Sequence, residues 1–193
     1  MPKENVKDLI EELKNLSELM LDLAYSSLFF ENKEIANEVS ILFEELEKTE
    51  EKLYTHLFAA SRGRSAKKLI SVIELVESAK LVATAAKNMS KVVLNGSELH
   101  PIIKEALKES DESMCKAIIT KDSVLAGKKL NELKLRTEIG INIIAIRRGS
   151  EKKWIFNPKK EVIIFESDIL IAVGPSQGCE KLQKLAAGEE TKI

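Results

Sequence analysis

Two adjacent arginines, Arg147 and Arg148, offer the clearest binding chemistry in the sequence. They close an apolar run that is typical of a strand, and Asn157-Pro158 predicts a turn a few residues later. A guanidinium group can hold a phosphate or a carboxylate through paired hydrogen bonds. We therefore predict a site for a small anion at Arg147, Arg148, Asn157 and Pro158, and the alternative is a strand end whose arginines are merely solvated.

A pair of acids suggests a second kind of site, for a cation. Glu18 and Asp22 are separated by about one helical turn, so both carboxylates could reach one divalent metal ion. Acids on a helix surface more commonly only keep that surface hydrated, and both interpretations stay open. The two histidines are too far apart in sequence for a local metal motif. His56 falls on an apolar stripe, which favours a packed core residue, and His100 falls where a short helix is predicted to start, which favours a cap.

The sequence contains no local signature of an enzyme. We find no Ser-His-Asp or Cys-His arrangement, no G-x-G-x-x-G after a strand and no P-loop. Cys115 and Cys179 form no C-x-x-C pair and are too few for a secreted disulfide framework, which favours a reducing cytosol. We therefore expect a non-enzymatic protein of the cytoplasm.

The charge balance limits the classes of partner. Thirty basic and 31 acidic residues leave a net charge of -1, which argues against a general nucleic-acid binder. Residues 1–112 carry 15 basic and 21 acidic side chains, a balance of -6, whereas residues 113–193 carry 15 basic and 10 acidic ones, a balance of +5. Opposite signs suggest two domains with different roles. The apolar runs are short and interrupted by polar residues, so we expect no direct insertion into a membrane.

The first half has the hydrophobic period of helices. Apolar residues recur at spacings of three and four in three stripes, at residues 6–23, 35–60 and 69–90. Asn32 predicts the turn between the first two helices, and Gly96 predicts the end of the third. Three amphipathic helices of this length must bury their stripes on one another, which predicts an antiparallel three-helix bundle.

From about residue 113 the pattern shortens to that of strands. We predict a mixed α+β module of about 80 residues, a size at which a core is only just sufficient, so that association is expected. The expected domains are therefore residues 1–112 and 113–193. The expected strands cover residues 114–120, 141–147, 153–156 and 169–173, with a further apolar piece at 162–165 and a closing helix at 180–187.

Several segments of the second half resemble the TrkA C-terminal domain family, also called RCK C-terminal. Ser167 stands where that family usually has glycine before an aspartate. Since serine adopts most turn conformations other than those with positive φ, we expect this turn to form as in the family. The similar segments, which occur in the family's order, are Ser123–Leu130, Leu133–Gly140, Ile143–Gly149, Asn157-Pro158 and Glu166–Gly174.

The helical half resembles the PhoU family in the length and pattern of its helices. PhoU proteins often carry E-x-x-x-D pairs that bind multinuclear metal clusters, and Glu18 with Asp22 has that form. The third predicted helix departs from this E-x-x-x-D pattern, because Glu74 is followed at the same spacing by Ser78.

The two resemblances together imply an α+β multidomain fold, with a PhoU-like bundle followed by a TrkA-C domain. They also imply a homodimeric cytoplasmic regulatory subunit of a membrane cation channel or transporter, with potassium as the expected ion. The C-terminal domain would sense a small anionic effector, such as the nucleotide cyclic di-AMP. The alternative is a PhoU-like, metal-binding regulator of phosphate transport that holds a divalent metal.

Overall fold

The structure, a computed structural model, describes residues 5–60, 66–96, 100–102, 105, 112–149 and 153–193. The chain divides into two compact units, residues 1–99 and 100–193. The domain bounds 1–112 and 113–193 stay a prediction, because most of residues 97–111 lie outside the described part of the chain.

The N-terminal unit consists of three long helices, α1 (Val6–Phe30), α2 (Lys33–Ala60) and α3 (Ala66–Leu94), each packed against the other two. The turn between α1 and α2 confirms the role predicted for Asn32, whose side-chain oxygen accepts hydrogen bonds from the backbone N–H groups of Glu34 and Ile35 at 2.9 and 3.0 Å. Gly96 takes a φ of +68° just after α3 and ends it, as predicted.

The core of this unit follows the predicted stripes except at Ile73 of α3, which is exposed, and near the end of α2. There the stripe continues from Leu53 to Leu57, and His56 is exposed, so the prediction of a packed His56 is wrong. The physical reason is that the predicted stripe of α2, which includes His56, repeats about every 3.5 residues, whereas a straight helix has 3.6 residues per turn. The predicted stripe therefore drifts away from the buried face along the helix. The predicted cap at His100 is confirmed, because its Nδ1 accepts a hydrogen bond from the N–H of Ile102 at 3.3 Å.

The C-terminal unit is a four-stranded antiparallel sheet in the order β1-β4-β2-β3. Two short helices lie between β1 and β2, and the last helix, α6, packs on β1 and β4. A β-bulge interrupts the pairing of β2 with β4 between Ile143 and Ala145. The elements in chain order are β1 (Glu112–Ile118), α4 (Leu130–Leu133), α5 (Leu135–Glu138), β2 (Asn142–Arg147), β3 (Trp154–Phe156), β4 (Ile169–Pro175) and α6 (Ser176–Ala187).

Two details of this unit differ from the sequence-based expectation. The apolar piece at 162–165 is not a strand but makes one isolated bridge, between Ile163 and Lys129. Helix α6 begins at Ser176, four residues before the predicted start. The early turn of α6 lies close to the preceding chain at Gly178, where a Cβ atom would sit 2.2 Å from the carbonyl oxygen of Ile139, so glycine is required there.

Candidate functional site

Arg148 points into the C-terminal unit rather than towards an open site. Its Nη1 donates hydrogen bonds to the carboxylate of Asp168 and, at 2.8 Å, to the carbonyl of Ile163. Its guanidinium carbon lies 4.8 Å from the centre of the Phe165 ring. Because Asp168 is only 1% exposed, this ion pair is buried, and we assign Arg148 a structural role in the domain.

The same carboxylate organises the tight turn that precedes β4. Asp168 also accepts hydrogen bonds from the N–H of Phe165 at 2.9 Å and from the N–H of Gly149 at 3.4 Å. Ser167, which lies between Phe165 and Asp168 in the sequence, has a φ of +66°. The turn forms despite the serine, but in the left-handed conformation that suits glycine, so Ser167 bears a steric cost there.

Arg147 and Asn157, two other residues of the predicted anion site, have different surroundings. The guanidinium carbon of Arg147 lies 5.9 Å from the centre of the Trp154 ring, whereas that of Arg148 lies 4.8 Å from the centre of the Phe165 ring. Asn157 is exposed, adopts a φ of +44°, and its N–H donates to the carbonyl of Ile144 at 2.9 Å. The anion site predicted at the two arginines stays a prediction.

Pro158, the fourth predicted residue, lines a cavity of about 220 Å³ in the C-terminal unit, which we call the basic cradle. Three exposed cationic side chains surround it, those of Lys134, Arg136 and Lys160. None of the lining residues that the structure describes is acidic. The remaining lining consists of the amides Asn131 and Asn142 and an apolar floor of Leu130, Leu135, Ile141, Ile143 and Pro158.

Backbone hydrogen bonds hold the walls of the basic cradle together. The N–H of Asn131 donates to the carbonyl of Lys160 at 2.9 Å, which ties α4 to the loop after β3. Lys134 adopts a φ of +45° between α4 and α5, and its carbonyl accepts from the N–H of Thr137 at 2.8 Å. The chain therefore bends at Lys134, and the cationic side chains around the cavity come from two segments, the start of α5 with Lys134 and Arg136, and the loop after β3 with Lys160.

This arrangement has the chemistry of an anion site with an apolar face. Cationic side chains that line one cavity without an acidic lining residue attract a phosphate or a carboxylate, and arginine can bind it with two parallel hydrogen bonds. Sequence reasoning found Pro158 but missed the three cations. They lie in or beside segments that resemble the TrkA-C family, yet in the sequence they look like any solvated lysine or arginine.

The two cysteines pack inside the C-terminal unit. Both are buried and free, and the thiol of Cys179 donates to the carbonyl of Ser113 at 3.5 Å. A hydrogen bond between the two thiols, together with burial, raises the pKa of Cys115, and the same hydrogen bond lowers the pKa of Cys179. A thiol with so little access to solvent is poorly placed to act as a nucleophile.

The predicted metal site gains no further ligand in the structure. Glu18 is exposed and forms an ion pair with Lys14 at 2.8 Å, while Asp22 is half-buried. Within the described ranges, no group of three or more His, Cys, Asp or Glu side chains is placed to hold a metal ion. Metal binding by Glu18 and Asp22 stays a prediction. The same ranges contain no helix that is both long and apolar enough to cross a membrane.

Comparison with known families identifies both halves of the chain. Residues 10–93 match the PhoU domain, and residues 116–187 match the TrkA-C domain. The chain thus matches a PhoU domain followed by a TrkA-C domain. The three helices followed by a small antiparallel sheet agree with this assignment, which confirms the fold class and both resemblances.

Two relatives of the chain are named as potassium transport proteins. The chain is 34% identical over 85 residues to probable potassium channel protein 2 of Methanocaldococcus jannaschii, covering 44% of this chain and 24% of that protein. It is 39% identical over 66 residues to Ktr system potassium uptake protein C of Bacillus subtilis, covering 34% and 29%. The chain therefore spans less than a third of the length of these relatives.

Among solved structures, the chain is similar to the RCK C domain of the potassium transport protein KtrA in complex with cyclic di-AMP. The identity is 28%, the match covers 44% of this chain and 94% of that one, and the TM-score is 0.35.

Proposed function

We propose that this protein is a non-enzymatic, cytoplasmic regulatory subunit of a potassium channel or transporter, and that its TrkA-C domain binds a small anionic effector in the basic cradle. The observation that carries the proposal is the convergence of Lys134, Arg136 and Lys160 on one cavity with no acidic lining residue among those described. The potassium transport proteins that share this domain support the choice of target.

The lining of the cradle favours a nucleotide over a bare inorganic anion. A phosphate can contact the cationic rim, while an apolar floor that includes Leu130 and Ile143 suits the flat face of a base. At about 220 Å³ the cavity is small, since sites for drug-sized ligands run from about 300 to 1,000 Å³. One cradle would therefore hold about half of a dinucleotide.

Homodimerisation would supply the other half of such a site. A twofold axis brings the same patch of both subunits together, and a ligand with twofold symmetry can contact both patches equally. Cyclic di-AMP has this symmetry, with two phosphates and two bases, and is the first effector to test. Regulation then requires that the effector binds one arrangement of the dimer more tightly than another.

Calorimetric titration of the full chain with cyclic di-AMP, AMP and inorganic phosphate tests the proposal. We expect Arg136→Ala to weaken binding about tenfold or more, because a charge-assisted hydrogen bond contributes about 1.5–3 kcal/mol. Lys128→Ala is the matched control, an exposed lysine that does not line the cradle. The variant Arg147→Ala tests the site predicted from sequence alone.

The result separates the possible sites. Loss of binding in Arg136→Ala with wild-type affinity in Lys128→Ala and Arg147→Ala supports the cradle. Loss of binding only in Arg147→Ala would show that the effector binds at the strand end predicted from the sequence and not in the basic cradle. No heat of binding with any of the three compounds contradicts an anionic nucleotide effector.

The match to the PhoU domain favours a second candidate function, a metal-binding regulator of phosphate transport. Elemental analysis of the purified full chain addresses it. A stoichiometric divalent or transition metal that is lost in Glu18→Gln/Asp22→Asn would support this candidate, and a metal-free wild-type protein that takes up no metal on dialysis would contradict it.

A further inference from the structure

The N-terminal unit has an open groove of about 630 Å³ between α1 and α3. Leu75 and Val82 of α3 stand at its edge, and their side chains are 55% and 39% exposed. A groove with large exposed apolar side chains marks an interaction surface. The apolar lining residues are Ile10, Leu13, Leu21, Leu75, Val76, Ala79 and Val82.

Four charged residues of α1 line the same groove and alternate in sign along the helix: Lys7, Glu11, Lys14 and Glu18. Their spacings of four, three and four residues are the same in both directions along the chain. Reversing the order of the four residues gives the opposite sign at every position.

This pattern is complementary to a second copy of itself in the antiparallel orientation. Lys7 then faces the partner's Glu18, and Glu11 faces the partner's Lys14, and the twofold axis repeats both contacts. A parallel arrangement would instead place like charges opposite each other. An isologous interface has this property, since each patch must fit its own copy.

We propose that a second copy of this chain docks on this groove, with α1 antiparallel to the partner's α1. The apolar side chains at the groove supply most of the affinity, and the four charges select the antiparallel register, since rim charges contribute more to specificity than to affinity. The surface belongs to the N-terminal unit, so the proposal does not depend on effector binding at the basic cradle.

A charge-swap experiment with the full chain tests the pairing. Lys7→Glu/Lys14→Glu makes the four positions all acidic, and Glu11→Lys/Glu18→Lys makes them all basic. We expect each variant alone to self-associate through this surface about tenfold or more weakly at low salt, and an equal mixture of the two to recover the association. Sedimentation velocity measures the assembly, and far-UV circular dichroism checks that both variants keep their helices.

Zero-length cross-linking identifies the contact directly, even if the C-terminal units also associate. Carbodiimide joins a lysine amine to a carboxylate that touches it, and mixing unlabelled with nitrogen-15-labelled wild-type chains separates links between chains from links within one. We expect a link between Lys14 of one chain and the partner's Glu11. The link from Lys14 to Glu18 within one chain is expected in any case, because the two groups already form an ion pair.

An apolar substitution gives an independent test. Leu75→Gln should weaken the association by a similar factor, whereas Ile41→Gln should not, since Ile41 is equally exposed at 51% but lies on α2 and does not line the groove. The proposal is wrong if only links within one chain form. It is also wrong if the charge variants and Leu75→Gln assemble like the wild type, and in that case the groove serves another partner.

Discussion

The two domains bury their cores by different means. The PhoU domain relies on apolar stripes repeated along helices of 25, 28 and 29 residues. The TrkA-C domain uses strands of at most seven residues, with positive φ at Asn157 and Ser167 in the chain between β3 and β4 and at Lys134 between α4 and α5. Stability in the first is distributed over many similar contacts, whereas in the second it depends on a few individual residues.

Buried polar groups show the same contrast. In the PhoU domain Glu50 forms an ion pair with Lys80 at 2.6 Å near the surface, and the hydrogen bond between them raises the pKa of Lys80. In the TrkA-C domain Asp168 is deeper and accepts from Arg148 and from two backbone N–H groups. Removing Asp168 would leave more groups without a partner than removing Glu50 would.

The largest expected effect comes from Asp168→Ala. Removing one partner of a buried ion pair costs about 3–5 kcal/mol, because the remaining charge is buried without compensation. Trp154 is the single tryptophan and lies in the TrkA-C domain, so its fluorescence during urea unfolding reports on that domain. Glu50→Ala, measured by far-UV circular dichroism, should cost less than half as much. Equal losses would contradict the proposed contrast.

A core truncation in the PhoU domain should have the next largest effect. Leu23 is fully buried, and Leu23→Ala should reduce the free energy of unfolding by about 3 kcal/mol, within the range for such cavities. Leu81→Ala is the control, since Leu81 is 71% exposed and its truncation should change stability by less than about 0.5 kcal/mol. A shift in the tryptophan transition of similar size to that in the circular dichroism transition would show that the domains do not unfold independently.

A gain in stability is expected from Ser167→Gly. Glycine adopts the observed φ of +66° without the steric cost that serine bears, which is about 1 kcal/mol for an L-residue in this region. The tryptophan-monitored midpoint in urea should therefore rise. We expect the free energy of unfolding to increase by about 0.5–1 kcal/mol. Ser167→Ala, which keeps the Cβ atom, should show no such gain. A fall in stability for Ser167→Gly would mean that the serine side chain contributes more than the turn strain costs.

The smallest expected effect concerns the pH dependence of the PhoU domain. Burial, and then repulsion from Glu45, raises the pKa of Glu38 above its ordinary value of 4.5. The folded state therefore binds this proton more tightly than the unfolded chain, so the stability contribution is greatest below pH 4.5 and is lost as the pH rises through the raised pKa. Glu38→Gln should stabilise the domain at pH 7, by up to about 0.5 kcal/mol, and give no gain below about pH 4. A pH-independent difference between the variant and the wild type would exclude this cause.

Most elements were predictable from the sequence, and the exceptions have local causes. The stripes predict all three long helices, and the strands at 141–147 and 169–173 differ from the observed ones by one or two residues. The apolar residues at 162–165 fit a strand equally well in composition, but their backbone is used in turns that hold Asp168 and α4. Hydrogen bonds to residues distant in the sequence therefore decide that residues 162–165 do not form a strand.

The candidate site was less predictable than the fold. Arg147 and Arg148 stood out because they are adjacent, yet the hydrogen bond to buried Asp168 holds the guanidinium group of Arg148 inside the domain. Lys134, Arg136 and Lys160 become neighbours of one cavity only through the bend at Lys134 and the hydrogen bond from Asn131 to Lys160.

The sequence by itself determined the periodic features of this protein: the three helices, the change to short strands, the opposite charges of the two halves and the two family resemblances. Those features depend on residue types at regular spacings, which any reader of the chain can count. Only the tertiary structure decided which cations converge, which arginine is buried and which serine takes a left-handed turn. Those outcomes depend on side-chain direction and backbone dihedrals, which strand register and hydrogen bonds between distant residues impose.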